Sequence, residues 1–374
     1  MLQQYKVSEI NHIKINGRTT ECLEPLTLFW TASGFELNAR GSELWVEIEA
    51  GFDLHEPWFS VLINGAHVTR QMAYPGKHWI CLFRNMNKEE VKHVHFVKDV
   101  QAMNEDPGHY LQVLNFRFDG VFEPIEEKPY KIEFIGDSIT SGEGTVGAKK
   151  EVDWISMFFS GVTNYAVYTA EKLNAEFRIY SQSGWGLVSG WNNDPKWVLP
   201  PYYEKVCGFL KGEHNRRLGA FEDYDFTKWQ PDIIVVNLGT NDASAFVEPE
   251  FIDEVNGDCF KQHLNLNGSF KKEDRERLEQ TVIAFLYKLR KYHKNARIVW
   301  VYGMLGYLLT KPIVHAIDEY QQQSGDNNVE FLQLPATNKE TVGSREHPGV
   351  PSHKIASDIL FDFCKDYLYT LERR

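Results

Sequence analysis

Cysteine is scarce in this chain and follows no pattern. Five cysteines are scattered over 374 residues, and no two have Cys-x-x-Cys spacing. An odd and dispersed set argues against a disulfide framework and against a thiolate zinc site. We expect small, buried thiols in a reducing compartment at Cys22, Cys81, Cys207, Cys259 and Cys364.

Long apolar runs and basic clusters are also missing. No segment approaches the ~20 consecutive apolar residues of a membrane helix. The first residues, MLQQYKVSEI, lack the apolar run of a secretory signal. The formal net charge is −12 and no Lys/Arg-rich stretch occurs, whereas nucleic-acid binding needs clustered positive charge. We therefore expect a cytoplasmic protein without nucleic-acid or membrane partners; composition does not indicate its oligomeric state.

Aromatic residues are abundant, at 14% of the chain with ten tryptophans. Such side chains fill large cores, and they also stack on flat substrates such as sugar rings. At 374 residues the chain exceeds what one hydrophobic core usually serves, so two domains are expected.

Residues 1–126 have the sequence pattern of a β-sandwich. Short apolar-alternating runs are separated by turn signals such as Asn64-Gly65 and Pro107-Gly108, and no helical period is evident. Strands are predicted around 46–48, 59–63, 79–83, 91–97 and 111–118. His93 and His95 share one strand face, but no third ligand is nearby, so we predict no metal site.

Residues 127–374 alternate between strand and helix patterns, which predicts a parallel sheet covered by helices on both sides, a three-layer α/β/α fold. Strands are predicted at 130–135, 178–181, 232–238, 297–302 and 329–334, and helices at 163–177, 273–293, 312–322 and from 352 onward. In the last helix an apolar residue occurs at every fourth position, and the stripe that these residues form is predicted to face the core. It comprises Ile355, Ile359, Phe363 and Tyr367.

Polar motifs with catalytic potential follow these strands. Gly136-Asp137-Ser138 comes after the first parallel strand, and Asn237 to Asp242 (NLGTND) follows the strand at 232–238. His347 lies on the loop before the last helix. Catalytic groups of such sheets collect at the carboxyl ends of the strands. A serine nucleophile, an amide donor to a developing oxyanion and a histidine base would together support acyl transfer.

These motifs resemble the SGNH or GDSL hydrolase superfamily and, more narrowly, carbohydrate esterase family 2. The resemblance includes FWTASGFE in the sandwich, GDSITSGEG, DFTKWQPDIIVVNLGTND and His347-Pro348. It implies a flavodoxin-like hydrolase domain behind an N-terminal jelly roll. The implied activity is a carboxylic ester hydrolase that removes O-acetyl or other short acyl groups from a saccharide substrate, without metal or cofactor.

The resemblance also assigns roles to matching positions. Ser138 is the implied nucleophile and His347 its base. The oxyanion hole would comprise the backbone N–H groups of Ser138 and Gly184 and the Asn241 side chain. Gly186 competes with Gly184, because both glycines lie in Ser183-Gly184-Trp185-Gly186.

One feature departs from the superfamily pattern. Positions 344 and 345, two or three residues before the histidine, carry serine and arginine where an aspartate is usual. We therefore predict a Ser–His dyad whose imidazole N–H is held by a backbone carbonyl. Glu346 as the orienting acid is the rival hypothesis. Asp232 is expected to cap a strand and Asp242 to fix its own loop.

Other interpretations stay open at this stage. Trp154, Trp185, Trp191 and Trp197 follow the site motifs, and Trp185 is our first choice as a sugar platform because adjacent glycines would expose it. The same scaffold also suits a lipid esterase or thioesterase, and the missing aspartate suits an inactive carbohydrate-binding protein. The sandwich domain would form a wall of the active-site cleft, bind glycan or cover the hydrolase.

Overall fold

Antiparallel strands form the first third of the chain. A computed structural model describes residues 1–371. The strands here are β1 (Gln3–Lys6), β2 (Lys14–Asn16), β3 (Leu26–Thr27), β4 (Gly34–Arg40), β5 (Leu44–Gly51), β6 (Trp58–Ile63), β7 (Ala66–Met72), β8 (Gly76–Phe83), β9 (Val91–Lys98), β10 (Tyr110–Phe118) and β11 (Val121–Glu123). One sheet has the order β1-β10-β5-β8 with β3 beside β10; the other has β11-β4-β9-β6-β7 with β2 beside β4.

Apolar side chains between the two sheets form the core of this part. In β5 every second residue is buried, as the alternating sequence predicts. Phe35 stacks on Phe96 of its own sheet (ring centroids 5.2 Å apart) and meets Phe116 of the opposite sheet edge-on (5.0 Å). The predicted β-sandwich is therefore confirmed, whereas its jelly-roll connectivity stays a prediction.

Parallel strands form the second part of the chain. The strands are β12 (Tyr130–Gly136), β13 (Ala175–Ser181), β14 (Ile233–Asn237), β17 (Arg297–Tyr302) and β18 (Val329–Gln333), and a small hairpin joins β15 (Phe251–Ile252) to β16 (Cys259–Phe260). The helices are α1 (Tyr165–Lys172), α2 (Gly212–Arg217), α3 (Thr240–Ala245), α4 (Lys272–Tyr292), α5 (Thr310–Ser324) and α6 (Val350–Leu371).

The order of the parallel sheet determines where a site can form. The order is β13-β12-β14-β17-β18, and every pair is parallel. The chain adds β13 on one side of β12 and then returns to add β14 on the other side. Connections therefore diverge above the carboxyl end of β12, and in such sheets the crevice at this switch point holds the ligand.

Two details of the predicted helices are wrong. The helix predicted to reach residue 177 ends at Lys172, because Asn174 adopts a left-handed backbone (φ 49°) and β13 begins at Ala175. In α6 the buried stripe lies one residue later than predicted, and Ile355 is 42% exposed. The small side chains of Ala356 and Cys364 allow close packing, and the stripe comprises Ala356, Leu360, Cys364 and Leu368.

The expectation that all cysteines are buried is also wrong. Cys207 and Cys364 are buried, Cys81 is intermediate, and Cys22 and Cys259 are exposed. All five are free thiols.

The change from antiparallel to parallel strands falls between Glu123 and Tyr130. The predicted domain boundary at 126/127 lies in this stretch and stays a prediction. Among residues 1–371, no helix has both the length and the apolar character required to cross a membrane.

A buried ion pair joins the sandwich to the parallel sheet. Arg18, 1% exposed, donates to the Glu133 carboxylate of β12 (2.8 Å) and to the Tyr203 carbonyl (2.6 Å). Burial raises the pKa of Glu133, but the Arg18 charge acts together with hydrogen bonds from Tyr203 and Arg18 against this effect, and the pKa lies below its ordinary value. The Arg18 guanidinium also lies over the rings of Tyr180 (4.6 Å) and Tyr203 (4.3 Å). The two parts therefore share a charged, fully buried contact.

We expect Glu133→Ala to lower the free energy of unfolding by about 3–5 kcal/mol, because it leaves the Arg18 charge buried and unpaired. Denaturant unfolding at neutral pH measures this loss. The control is the double variant Arg18→Met/Glu133→Leu, which removes both charges and should recover much of the loss. A change below about 1 kcal/mol for Glu133→Ala, as for exposed ion pairs, would contradict the prediction.

Candidate active site

The serine of the first motif lies at the carboxyl end of the central strand. β12 ends at Gly136, and the chain turns so that the Ser141 N–H donates to the Asp137 carbonyl (3.0 Å). A Cβ at position 136 would lie 2.0 Å from the Thr140 hydroxyl, so this close turn requires glycine. Ser138 is 4% exposed and lines a cleft of about 440 Å³.

The histidine of the last loop meets this serine. His347 Nε2 lies 3.0 Å from Ser138 Oγ, although 209 positions separate the two residues. Gly144 permits this approach, since a Cβ there would lie 2.5 Å from His347 Cβ. At this distance the imidazole can accept the hydroxyl proton.

The second imidazole nitrogen faces a backbone carbonyl. His347 Nδ1 lies 2.8 Å from the carbonyl oxygen of Arg345, the kind of partner that the sequence led us to expect. A proton on Nδ1 leaves Nε2 free to accept from Ser138. The Glu346 side chain is exposed, and the structure shows no hydrogen bond or ion pair for it among the described residues.

An uncommon backbone turn directs this carbonyl. Arg345 (φ 53°) and Glu346 (φ 57°) are consecutive left-handed residues. For residues with a Cβ this conformation costs roughly 1–2 kcal/mol each. Strain of this kind persists only where surrounding contacts hold it, and it concentrates at functional sites.

Candidate oxyanion donors surround the serine at the ends of neighbouring strands. Asn241, on α3 after β14, is 7% exposed and lines the cleft, and its amide donates to the Trp185 carbonyl (2.8 Å). That bond uses one of the two amide hydrogens and fixes the orientation of the group. Gly184 lines the cleft after β13, whereas the Gly186 N–H donates to the Trp197 carbonyl (3.0 Å). The geometry thus favours Gly184 over Gly186 as a donor.

Two buried aspartates shape these loops. Asp242 accepts from the N–H groups of Leu187 (2.8 Å) and Val188 (2.7 Å), so it fixes the loop after β13. The sequence had predicted a role in its own loop. Burial raises the pKa of Asp137 to about 7, despite the hydrogen bond from the Ile139 N–H. Asp232 accepts from the Lys131 N–H (2.8 Å) at the start of the parallel sheet, in keeping with its expected capping role.

The tryptophans divide into buried and accessible ones. Trp185 is 3% exposed and packs against Phe209 (4.7 Å between centroids), so the expectation that glycines expose it is wrong. Trp191 is 42% exposed and lines the cleft, and its backbone N–H donates to the Gly184 carbonyl (3.1 Å). Trp154 and Trp197 are partly buried and also line the cleft. Trp191 is therefore the most exposed of these indoles in the cleft that contains Ser138.

The sandwich part contributes a wall of the same cleft, which comprises His55, Gln101, Met103, Asn104 and Glu105. Asp106 holds this wall by accepting from the N–H groups of Leu54 (2.7 Å) and His55 (2.8 Å). Of the three roles considered for the sandwich, the structure supports two: it forms a cleft wall, and it covers an apolar face of the hydrolase, where Trp30 packs on Tyr180 (4.3 Å between ring centroids) in a shared core. No local motif marked these residues, because their importance depends on contacts between the two parts.

His93 and His95 lie away from this cleft and do not face a metal-ligand set. His93 Nε2 lies 2.9 Å from the Glu36 carboxylate, and His95 Nε2 lies 3.2 Å from the Asn16 amide. Within residues 1–371 no group of three His, Cys, Asp or Glu side chains is placed to hold a metal ion.

A family model for GDSL-like lipases/acylhydrolases matches residues 132–347, from the strand before Ser138 to His347. The chain belongs to this family. An acetyl xylan esterase from the rumen bacterium Butyrivibrio proteoclasticus is 46% identical, and the match covers 98% of this chain and 99% of that chain with a TM-score of 0.97. The expected α/β fold with an N-terminal β-rich part is thereby confirmed.

Other similar proteins are more distant. A family two carbohydrate esterase from Clostridium thermocellum, solved with cellohexaose, is 24% identical and shares the fold (TM-score 0.78, covering 95% of this chain and 99% of that one). The cellulase/esterase CelE of Acetivibrio thermocellus is 26% identical over 338 residues. That match covers 88% of this chain, but this chain spans only 36% of that protein's length. The resemblance to carbohydrate esterase family 2 is confirmed.

Sequence reasoning also missed a buried carboxylate in this GDSL-family site. The Glu143 side chain is only 1% exposed. It accepts a hydrogen bond from the Ser183 hydroxyl (2.5 Å) and forms an ion pair with Arg345. Its position inside GDSITSGEG was the available signal, but that motif does not reveal what the carboxylate contacts.

Proposed function

We propose that this protein is a serine esterase that hydrolyses O-acetyl esters on carbohydrates. The observation that carries the proposal is the 3.0 Å contact between Ser138 Oγ and His347 Nε2 inside an open cleft. The 46% identity to an acetyl xylan esterase over nearly the whole chain supports acetyl groups on a polysaccharide as the substrate class.

The first half of the reaction transfers the acyl group to the enzyme. Ser138 Oγ attacks the ester carbonyl carbon while its proton passes to His347 Nε2. The carbonyl oxygen becomes negative and receives hydrogen bonds from the N–H groups of Ser138 and Gly184 and from the Asn241 amide. The bond to the sugar oxygen then breaks, and the imidazolium protonates that oxygen as the alcohol leaves.

The second half regenerates the serine. A water molecule loses a proton to His347 Nε2 and attacks the acetyl-serine carbonyl, which the same donors stabilise. Collapse of this intermediate releases acetate, and the proton returns from the imidazolium to Ser138 Oγ. The Arg345 carbonyl accepts a hydrogen bond from Nδ1–H throughout, which keeps Nε2 as the reacting nitrogen and stabilises the imidazolium.

Trp191 is our choice for the sugar platform. Its exposed indole lies beside the Gly184 loop, and the apolar face of a sugar ring packs favourably on such a surface. The structure described for the Clostridium relative contains cellohexaose, which supports a saccharide chain as the ligand here. This assignment replaces Trp185, whose ring is buried.

The proposal is tested by measuring acetate release from acetylated xylo- and cello-oligosaccharides, and hydrolysis of p-nitrophenyl esters of increasing chain length. We expect turnover of the acetylated saccharides and kcat/KM values that are highest for acetyl among the aryl esters. Activity that rises with acyl length, with no saccharide turnover, would identify a lipid esterase or thioesterase instead. Saccharide binding in calorimetry without any ester hydrolysis would identify an inactive carbohydrate-binding protein.

A further inference from the structure

The Glu143 carboxylate lies between the two loops that supply the proposed reacting groups. On one side its Oε2 accepts from the Ser183 hydroxyl (2.5 Å), next to the proposed oxyanion donor Gly184. On the other side its Oε1 forms an ion pair with the Arg345 guanidinium. Oε1 is also 3.7 Å from His347 Nε2, too far for a hydrogen bond but close for a charge. A single buried group therefore contacts both loops.

The histidine side of this contact is strained and needs support. Arg345 and Glu346 hold left-handed backbone angles so that the Arg345 carbonyl faces His347 Nδ1. Backbone bonds fix part of this turn: the Arg345 N–H donates to the Glu151 carbonyl (2.6 Å) and the Gly343 N–H to the His347 carbonyl (2.7 Å). The Arg345 side chain, only 33% exposed, is held by Glu143. The ion pair therefore restrains the residue whose carbonyl orients the base.

The oxyanion side is restrained in the same manner. Ser183 directly precedes Gly184, and its N–H donates to the Gln101 side chain (2.7 Å) of the sandwich part. Its hydroxyl is the group that donates to Glu143. With the N–H and the hydroxyl both occupied, Ser183 has little freedom to rotate, which restrains the position of the following Gly184.

We propose that Glu143 is a positioning residue: its one carboxylate holds both the histidine loop and the oxyanion loop in place, although it never touches the substrate. The inference rests on the proposed esterase function. Buried carboxylates that contact no reacting atom often stabilise only the fold, so the proposal requires an effect on turnover in fully folded protein. A shift of about 1 Å in a positioned group can cost about 10²-fold in rate.

The test uses Glu143→Gln, which keeps the side-chain volume and an acceptor for Ser183 but removes the charge that holds Arg345. We expect kcat for acetyl ester hydrolysis to fall roughly 10–100-fold with KM within about threefold, because alignment of the reacting groups is lost and not substrate binding. Circular dichroism and quantitative fluorophosphonate labelling count the folded, competent sites. The matched control is Glu123→Gln, which removes the same charge from the Arg40–Glu123 ion pair in the sandwich (2.6 Å).

Arg345→Met and the double variant Glu143→Gln/Arg345→Met complete the design. If the pair acts as a unit, each single variant loses a similar factor and the double variant loses no more than the worse single variant. Glu143→Gln with wild-type kcat per labelled site would overturn the proposal, as would a loss that appears only as unfolded protein. These results are distinct from failure of the proposed function, in which the unmodified protein itself releases no acetate.

Discussion

Replacing Ser138 by alanine is expected to lower kcat for acetyl ester hydrolysis by roughly 10⁶-fold, the scale seen when a serine nucleophile is removed. Without Oγ no acyl-enzyme forms, and the 3.0 Å contact with His347 Nε2 disappears. The oxyanion donors and the cleft are unchanged, so residual hydrolysis above the uncatalysed rate should persist. Stopped-flow or endpoint assays of acetate release measure the change.

A matched serine variant separates this effect from general damage. Ser324 lies at the end of α5, where its hydroxyl donates to the Tyr320 carbonyl (2.6 Å), far in sequence from any proposed reacting group. Ser324→Ala should retain wild-type kcat and react with a fluorophosphonate probe, whereas Ser138→Ala should not react. Equal turnover by wild type and Ser138→Ala would refute the nucleophile assignment.

The sequence predicted the convergence of these groups because the geometry of a parallel sheet is repetitive. Apolar runs at 130–135 and 232–238 identified β12 and β14, and the motifs after them had to share one sheet edge. The resemblance supplied the roles of Ser138, Asn241 and His347. Periodicity thus placed Ser138 and Asn241 at one sheet edge, whereas the loop that carries His347 has no periodic pattern and was assigned through the resemblance.

The environment of individual side chains was less predictable. Trp185 and Trp191 have similar local sequences, each beside a glycine, but one packs against Phe209 and the other is exposed. The difference depends on which residues of distant segments fill the adjacent space. In α6 the same limitation shifted the buried stripe by one residue: Ile355 is strongly apolar but 42% exposed, whereas Ala356 is buried.

Contacts between the sandwich and the hydrolase part were beyond sequence reasoning. Gln101 binds the Ser183 N–H across 82 positions, and Arg18 reaches Glu133 across 115. A single glutamine or arginine in a loop carries no periodic signal, and its partner is decided only when the two parts pack. The sandwich therefore influences the site through residues that no motif identifies.

His347→Ala is expected to reduce kcat to a similar extent, roughly 10⁶-fold, because the serine proton then has no acceptor in reach. Glu346→Gln should retain kcat within about twofold, since the Glu346 side chain is exposed and the Arg345 carbonyl lies 2.8 Å from Nδ1. Steady-state kinetics on a short aryl ester compare the two variants. The contrast distinguishes a dyad oriented by a backbone carbonyl from a triad that includes Glu346.

Imidazole in the assay buffer provides the control for His347→Ala. The variant leaves space beside Ser138, and free imidazole that enters it can accept the serine proton. After subtraction of the hydrolysis that imidazole causes without enzyme, partial recovery of turnover is expected, with wild-type and Ser138→Ala rates unchanged. Recovery would show that the lost group acted as a base and that the cleft had kept its shape. If Glu346→Gln instead lost as much activity as His347→Ala, the carboxylate would have to swing inward during catalysis, and the backbone carbonyl would be insufficient to orient the base.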